Sequence, residues 1–238
     1  MKIAGIIPSR YGSTRFPGKS LVDIDGKTMI RRVYEQAIQT KSLTEVIVAT
    51  DDERIYKEVK SFGGKVVMTA SSHKNGTERC AEVALTLDAD VVINIQGDEP
   101  FIHPGQIDLL AFCFENPDTQ IATLIKKQEW DDVLKNPARI KVVVNQKMEA
   151  LYFSRSIIPN PISNFDPDIF NFYLHIGIYG FRKNVLTEVV KLPASLLELA
   201  ESLEQLRWLD YGYKIKCAVT EHQSTSIDTP EDLANLTI

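Results

Sequence analysis

Residues 3–7 form an unbroken apolar run that stops at Pro8, the pattern of a strand buried on both faces. Residues 21–24 and the Asp25-Gly26 pair read as a short strand and a turn. Thr28 follows as the N-cap of a helix whose Met29, Ile30, Val33, Tyr34, Ala37 and Ile38 recur at helical spacing. The alternation then repeats. A buried strand at 45–50 leads to a charged helix at 51–62 closed by Gly63-Gly64, and a strand at 65–68 to a helix at 77–87 and a strand at 91–95. Such alternation predicts an α/β fold with a mostly parallel, Rossmann-like sheet and helices on both faces. Past residue 118 the rhythm changes. Strand patterns at 121–125, 140–144, 150–155 and 173–181 follow one another, with Asn145-Gln146-Lys147 as a hairpin turn and a proline-rich loop at 159–168. Pro193-Ala194-Ser195 opens what reads as one long amphipathic helix to about Tyr211, followed by a strand at 215–219. Thr229-Pro230-Glu231-Asp232 then starts a last helix, with Thr at the cap and Pro at the first helical position. The chain reads as a single domain with two halves, about 1–118 and 119–238.

Composition narrows the partners. A formal net charge of −5 over 238 residues lacks the basic balance that binding a nucleic-acid backbone needs, though a local cation cluster still suits a small polyanion. Three cysteines without CxxC spacing (Cys80, Cys113 and Cys217) point to buried thiols rather than to disulfides or a zinc site. No apolar stretch approaches bilayer-spanning length, and Met1 leads directly into the first strand rather than a signal peptide. We therefore expect a soluble cytoplasmic protein with no membrane partner.

Three loops carry the chemistry. After the first strand, residues 8–19 hold Arg10, Arg15, Lys19, the hydroxyls of Ser9, Ser13 and Thr14, and the glycines Gly12 and Gly18. Glycines let backbone amides approach an anion and the cations neutralise it, so this loop is suited to phosphate. Gly18-Lys19-Ser20 resembles the end of a Walker P-loop. However, Gly12 and Gly18 are five residues apart instead of four, and a strand and turn, not a helix, are expected after Lys19. GxGxxG is absent as well, which argues against a dehydrogenase. The second loop, Gln96-Gly97-Asp98-Glu99-Pro100, follows a buried strand; Asp98 reads equally as a ligand for a divalent cation and as a capping residue beside a turn glycine. The third is Asp228, which by itself reads as a turn former ahead of Thr229-Pro230.

Together these loops resemble the sugar-activating cytidylyltransferases over essentially the whole chain. Asn75-Gly76-Thr77-Glu78-Arg79 and the stretch 92–100 match family blocks, as does Ile227-Asp228-Thr229-Pro230. Tyr152-Phe153-Ser154-Arg155, His175-Ile176-Gly177-Ile178-Tyr179 and Glu204-Gln205-Leu206-Arg207 are similar to the branch that acts on 3-deoxy-manno-octulosonate (Kdo). The resemblance implies a transferase for lipopolysaccharide biosynthesis, with CTP and Kdo as substrates and CMP-Kdo and pyrophosphate as products. Its first half would bind the nucleotide, and its second half the sugar and the other subunit of a homodimer. Arg10, Ser13 and Lys19 would hold the triphosphate with Arg15 in support, and Thr77 and Arg79 would lie near the cytidine. Asp98 and Asp228 would bind Mg²⁺, while Gln96, Arg155, His175, Tyr179, Glu204 and Gln205 would face the sugar. Read without the family, His175 and Tyr179 are core residues and Glu204 and Gln205 a solvated helix face. The chain departs from the family pattern at Ala70, Ser72, Asn75 and Ser226. Cytidylyltransferases for amino-Kdo or sialic acid share the nucleotide loops, and a non-catalytic nucleotide-binding protein has less need of two acidic metal ligands.

Overall fold

The computed structural model describes residues 1–12, 16–162, 166, 169–222 and 226–234. One nine-stranded sheet draws on both halves of the chain. Its parallel core is β5 (Val66–Met68), β4 (Glu45–Thr50), β1 (Ile3–Ser9) and β6 (Val91–Asn94), adjacent in that order. Next comes β10 (Phe172–Arg182), antiparallel to both β6 and β7 (Ile121–Gln128), and β11 (Ile215–Val219) closes the edge parallel to β7. The hairpin of β8 (Lys141–Val144) and β9 (Ala150–Ser154) pairs with the start of β10.

The α/β reading therefore holds, and alternate residues of the buried strands show why. On one face, Ile6 and Val92 pack with α3 (Gly76–Thr86), α5 (Lys183–Val189) and α7 (Gln205–Asp210). On the other, Ile3, Ile7, Val91 and Ile93 pack with α1 (Met29–Ala37), α2 (Glu53–Ser61) and α4 (Pro104–Phe112). A strand that must satisfy two helix layers has no polar side, hence the unbroken apolar runs.

The structure departs from the sequence reading at four places. Lys19–Leu21 forms a single 3₁₀ turn before the two-residue strands β2 (Asp23–Ile24) and β3 (Lys27–Thr28), so the strand expected from residue 21 is shorter. Thr28 does stand at the N-cap of α1, but its hydroxyl donates to Glu58 Oε1 (2.8 Å) rather than capping. The long helix to Tyr211 is two short ones, α6 (Leu196–Glu201) and α7. Ser202 lies between them in the left-handed conformation (φ 52°), which ends α6 and turns the chain before α7. Finally, the sequence reading gives no bounds for α4 and α5. The apolar residues of α4 surround the helix instead of lying on one stripe, and its cap is a histidine: His103 Nδ1 accepts from Gly105 N. Among the described residues no helix is long and apolar enough to cross a membrane.

Candidate active site

At the carboxyl ends of β1 and β6, where open α/β sheets present their ligand crevice, lies a cleft of about 290 Å³. Arg10, Lys19, Asn75, Gly76, Arg79, Gln96, Asp98 and Asp228 line it. Three of them converge on one point. Lys19 Nζ donates to Asp98 Oδ2 at 2.6 Å and to Asp228 Oδ1 at 3.0 Å, although these residues are 79 and 209 positions away in sequence.

Local chemistry explains the convergence. Lys19 opens the 3₁₀ turn, and Ser20 beside it is tied to the end of β1 by a buried hydroxyl pair, Ser9 Oγ to Ser20 Oγ at 2.7 Å. Gly18 takes a left-handed φ of 73°, and a Cβ there would also meet the Tyr11 ring at 3.0 Å, so the position excludes a side chain twice over. Asp98 follows Gly97, whose missing Cβ lets the loop pass close to Pro8 O (2.9 Å from an added Cβ). Asp228 is brought in by Ile227 N donating to Asp98 O at 2.9 Å. The turn beyond is fixed by the Asp232 carboxylate, which accepts from the backbone amides of Asp228 and Thr229, and α8 (Pro230–Ala234) begins there. The expected cap of this last helix is thus present, with Thr229 Oγ1 accepting from Asp232 N.

The other residues named from sequence divide into groups. Arg10 is exposed at the cleft mouth, while Arg79 is buried and bound to Asp51 Oδ2 (3.0 Å) and Thr69 Oγ1. Gln96 Nε2 donates to Asn94 Oδ1 (3.3 Å). Behind the cleft wall, Thr77, Glu204, Tyr179 and His175 form a second group. Thr77 Oγ1 donates to Glu204 Oε2 at 2.8 Å, and burial pushes the Glu204 carboxyl up to about 7 against that bond. The His175 and Tyr179 rings lie 5.2 Å apart, and His175 Nε2 meets Thr123 Oγ1 at 2.9 Å. His175 is half-buried as a residue, but its ring is enclosed by Phe153, Tyr179 and Thr123, and this burial pushes its pKa down to about 3. The Tyr179 hydroxyl is buried near Thr123 with no partner at hydrogen-bond geometry among the described residues, and burial raises its pKa well above 10. Gln205 is buried at the first position of α7.

Arg155 stands apart from both groups. Its guanidinium donates to the carbonyls of Glu201 (2.7 Å), Pro137 (3.1 Å) and Ser202 (3.3 Å), and its own carbonyl accepts from the fully buried Lys141. Ser13 and Arg15 lie outside the described residues. Two features of the site escaped the sequence reading. Asn75, noticed in a family block and as a departure but given no role, is the N-cap of α3 and part of the cleft wall. His73, also in that wall, bonds Glu82.

The chain belongs to the cytidylyltransferase family, whose profile matches residues 4–215. A relative from Parabacteroides distasonis, "3-deoxy-manno-octulosonate cytidylyltransferase", is 55% identical over 98% of this chain and 96% of its own length. One of the same name from Thermodesulfovibrio yellowstonii is 49% identical over 96% and 94%. Among solved structures, a CMP:2-keto-3-deoxy-manno-octonic acid synthetase complexed with CTP superposes with a TM-score of 0.93 at 43% identity, covering 98% of this chain and 96% of that one. A 4-diphosphocytidyl-2C-methyl-D-erythritol synthase from Anaerococcus prevotii, 15% identical with a TM-score of 0.63 over 98% and 95%, shares the fold.

Proposed function

We propose that the protein transfers CMP from CTP to Kdo, giving CMP-Kdo and pyrophosphate. The observation that carries this reading is the meeting of Lys19, Asp98 and Asp228 at the carboxyl ends of β1 and β6. Full-length relatives bearing the Kdo cytidylyltransferase name support the choice of sugar. A hydroxyl oxygen of the sugar forms a bond to the α-phosphorus, the bond from that phosphorus to the bridging oxygen breaks, and pyrophosphate leaves while the hydroxyl proton is lost. Such a displacement needs no protein nucleophile. It is driven by alignment of the two substrates and by neutralisation of phosphate charge. Arg10 and Lys19 supply cations to the triphosphate, and the side chains on the second-half strands and helices orient the sugar.

Mg²⁺ belongs to the same proposal. Two carboxylates already share one cation, the Lys19 ammonium, and hard oxygen donors in that number suit an ion that completes its shell with phosphate and water. Asp98 and Asp228 would hold it, and it would act there as a Lewis acid on the phosphoryl group. A homodimer is part of the reading as well. Every residue of α6 escapes full burial, with Leu196 and Leu199 largely exposed, as is Leu151 on the neighbouring hairpin, and a second copy would cover them. A cytoplasmic location agrees with the use of CTP. Pyrophosphate release with CTP and Mg²⁺ tests the activity: Kdo is turned over and sialic acid is a much poorer acceptor. Equal turnover of the two, or none of Kdo, refutes it. Light scattering tests the dimer, which requires twice the mass of one chain.

A further inference from the structure

The cap of α3 has two sides. Asn75 Oδ1 accepts from Glu78 N (2.8 Å) and so closes the helix start, while Asn75 Nδ2 donates to Glu204 Oε1 at 2.9 Å. Thr77 Oγ1 takes the other carboxylate oxygen, at 2.8 Å. Both oxygens of Glu204 are thereby gripped by one turn of α3, 127 and 129 positions earlier in the chain. Asn75 also lines the cleft that holds Lys19 and Asp98. We propose that Asn75 and Thr77 are positioning residues for Glu204, so that the helix turn forming one wall of the nucleotide cleft also orients the acid of the sugar subsite. This rests on the Kdo reading above, in which Glu204 faces the sugar.

The surroundings make the carboxylate sensitive to these two donors. Burial opposes its charge; the Thr77 hydrogen bond and Arg207 favour it, while Glu198 and Glu78 disfavour it. Arg207 is committed to Glu198 through bonds of 2.6 and 2.5 Å, so its help at Glu204 is shared. Cys80 on α3 and Tyr179 on β10 also face Glu204, but burial raises both above the neutral range and they stay uncharged. Of the groups here with a displaced titration, Glu204 alone lies near 7. Withdrawing a donor from the ionised form must move its midpoint further upward.

The test uses three variants of the full chain. Asn75→Ser keeps a good N-cap and the net charge but loses the amide that reaches Glu204. Thr77→Val removes the second donor, and Thr77→Ser retains it. A ¹³C-carboxyl NMR titration reads Glu204 directly and needs no turnover. The midpoint is expected to rise by about 0.5 or more in Asn75→Ser and Thr77→Val, and to stay in place in Thr77→Ser. From a midpoint near 7, such a rise lowers kcat/KM for Kdo roughly twofold at pH 7 and roughly threefold at pH 6, with no change at pH 9. The pH dependence of the loss separates positioning of Glu204 from general damage to the cleft, which lowers kcat/KM for Kdo as much at pH 9 as at pH 6. An unmoved midpoint in both donor-loss variants of a Kdo-active enzyme overturns the proposal, as does a loss of kcat/KM for Kdo that is as large at pH 9 as at pH 6. Wild-type protein that fails to turn over Kdo overturns the functional reading, and the sugar half of this proposal with it.

Discussion

Replacing Lys19 by methionine removes a cation that Asp98 and Asp228 share. The three side chains are 15%, 23% and 31% exposed, between the regimes of a solvated ion pair and a buried one. Breaking such an arrangement costs about 2 kcal/mol, midway between the fraction of a kcal/mol for exposed pairs and the several for buried ones. In a chain of this length that lowers Tm by about 4–8 °C. The informative step is then to add Mg²⁺ alone. With the ammonium gone, a divalent ion can take its place between the carboxylates, and binding at a hundred times its Kd restores about 2.7 kcal/mol, enough to recover the loss. In the wild type the same ion must first displace Lys19, so its thermal effect is smaller. Differential scanning fluorimetry over a Mg²⁺ series, with K⁺ to hold ionic strength constant, reads both proteins without any substrate. If Lys19→Met melts at one temperature with and without millimolar Mg²⁺, the two carboxylates do not make a cation site, whatever the enzyme does with CTP.

Asp98→Asn and Asp228→Asn should each lower kcat strongly while leaving the fold intact, and the double variant should be little worse than the worse single, because the two act on one ion; near-wild-type turnover in folded Asp228→Asn contradicts this. Lys141→Met strands the carbonyls of Asn136, Arg139 and Arg155 that its ammonium now satisfies. It should cost about 3 kcal/mol and lower Tm by roughly 6–12 °C, measured by thermal melts. His175 sets a pH dependence. Its folded pKa near 3 lies below the ordinary 6.5, so its contribution to stability is complete above about 6.5 and is lost as pH falls towards 3. At pH 5.5 the loss is at most about 1.4 kcal/mol, since the residue is only half-buried. His175→Gln should therefore flatten the acid side of the Tm–pH curve in that window; an unchanged slope refutes it.

The strands were legible in the sequence because burial on both faces leaves an unmistakable pattern. The 45–50 and 215–219 runs became β4 and β11 without change, and Asp25-Gly26 turns between β2 and β3 with φ of 50° and 76°. The cluster of cations, hydroxyls and glycines after the first strand was legible too, and the fold places its Arg10 and Lys19 in the cleft. Helices whose signal is not local were harder to read. The split at Ser202 depends on one backbone φ, and α4 has neither an apolar stripe nor a common capping residue. What only the tertiary structure decided is which distant residues meet. No local pattern around Asp98 or Asp228 distinguishes a metal ligand from a turn former. They become a pair because parallel strands place their loops at the same edge, and because the Ile227 amide bonds the Asp98 carbonyl. Glu204 is the sharper case: read on a helix it is a solvated charge, but against α3 both of its oxygens are bound and burial moves its titration to about 7. Burial and partnership belong to the packed molecule. A sequence records which groups are able to ionise or to donate, and the fold determines what stands opposite them.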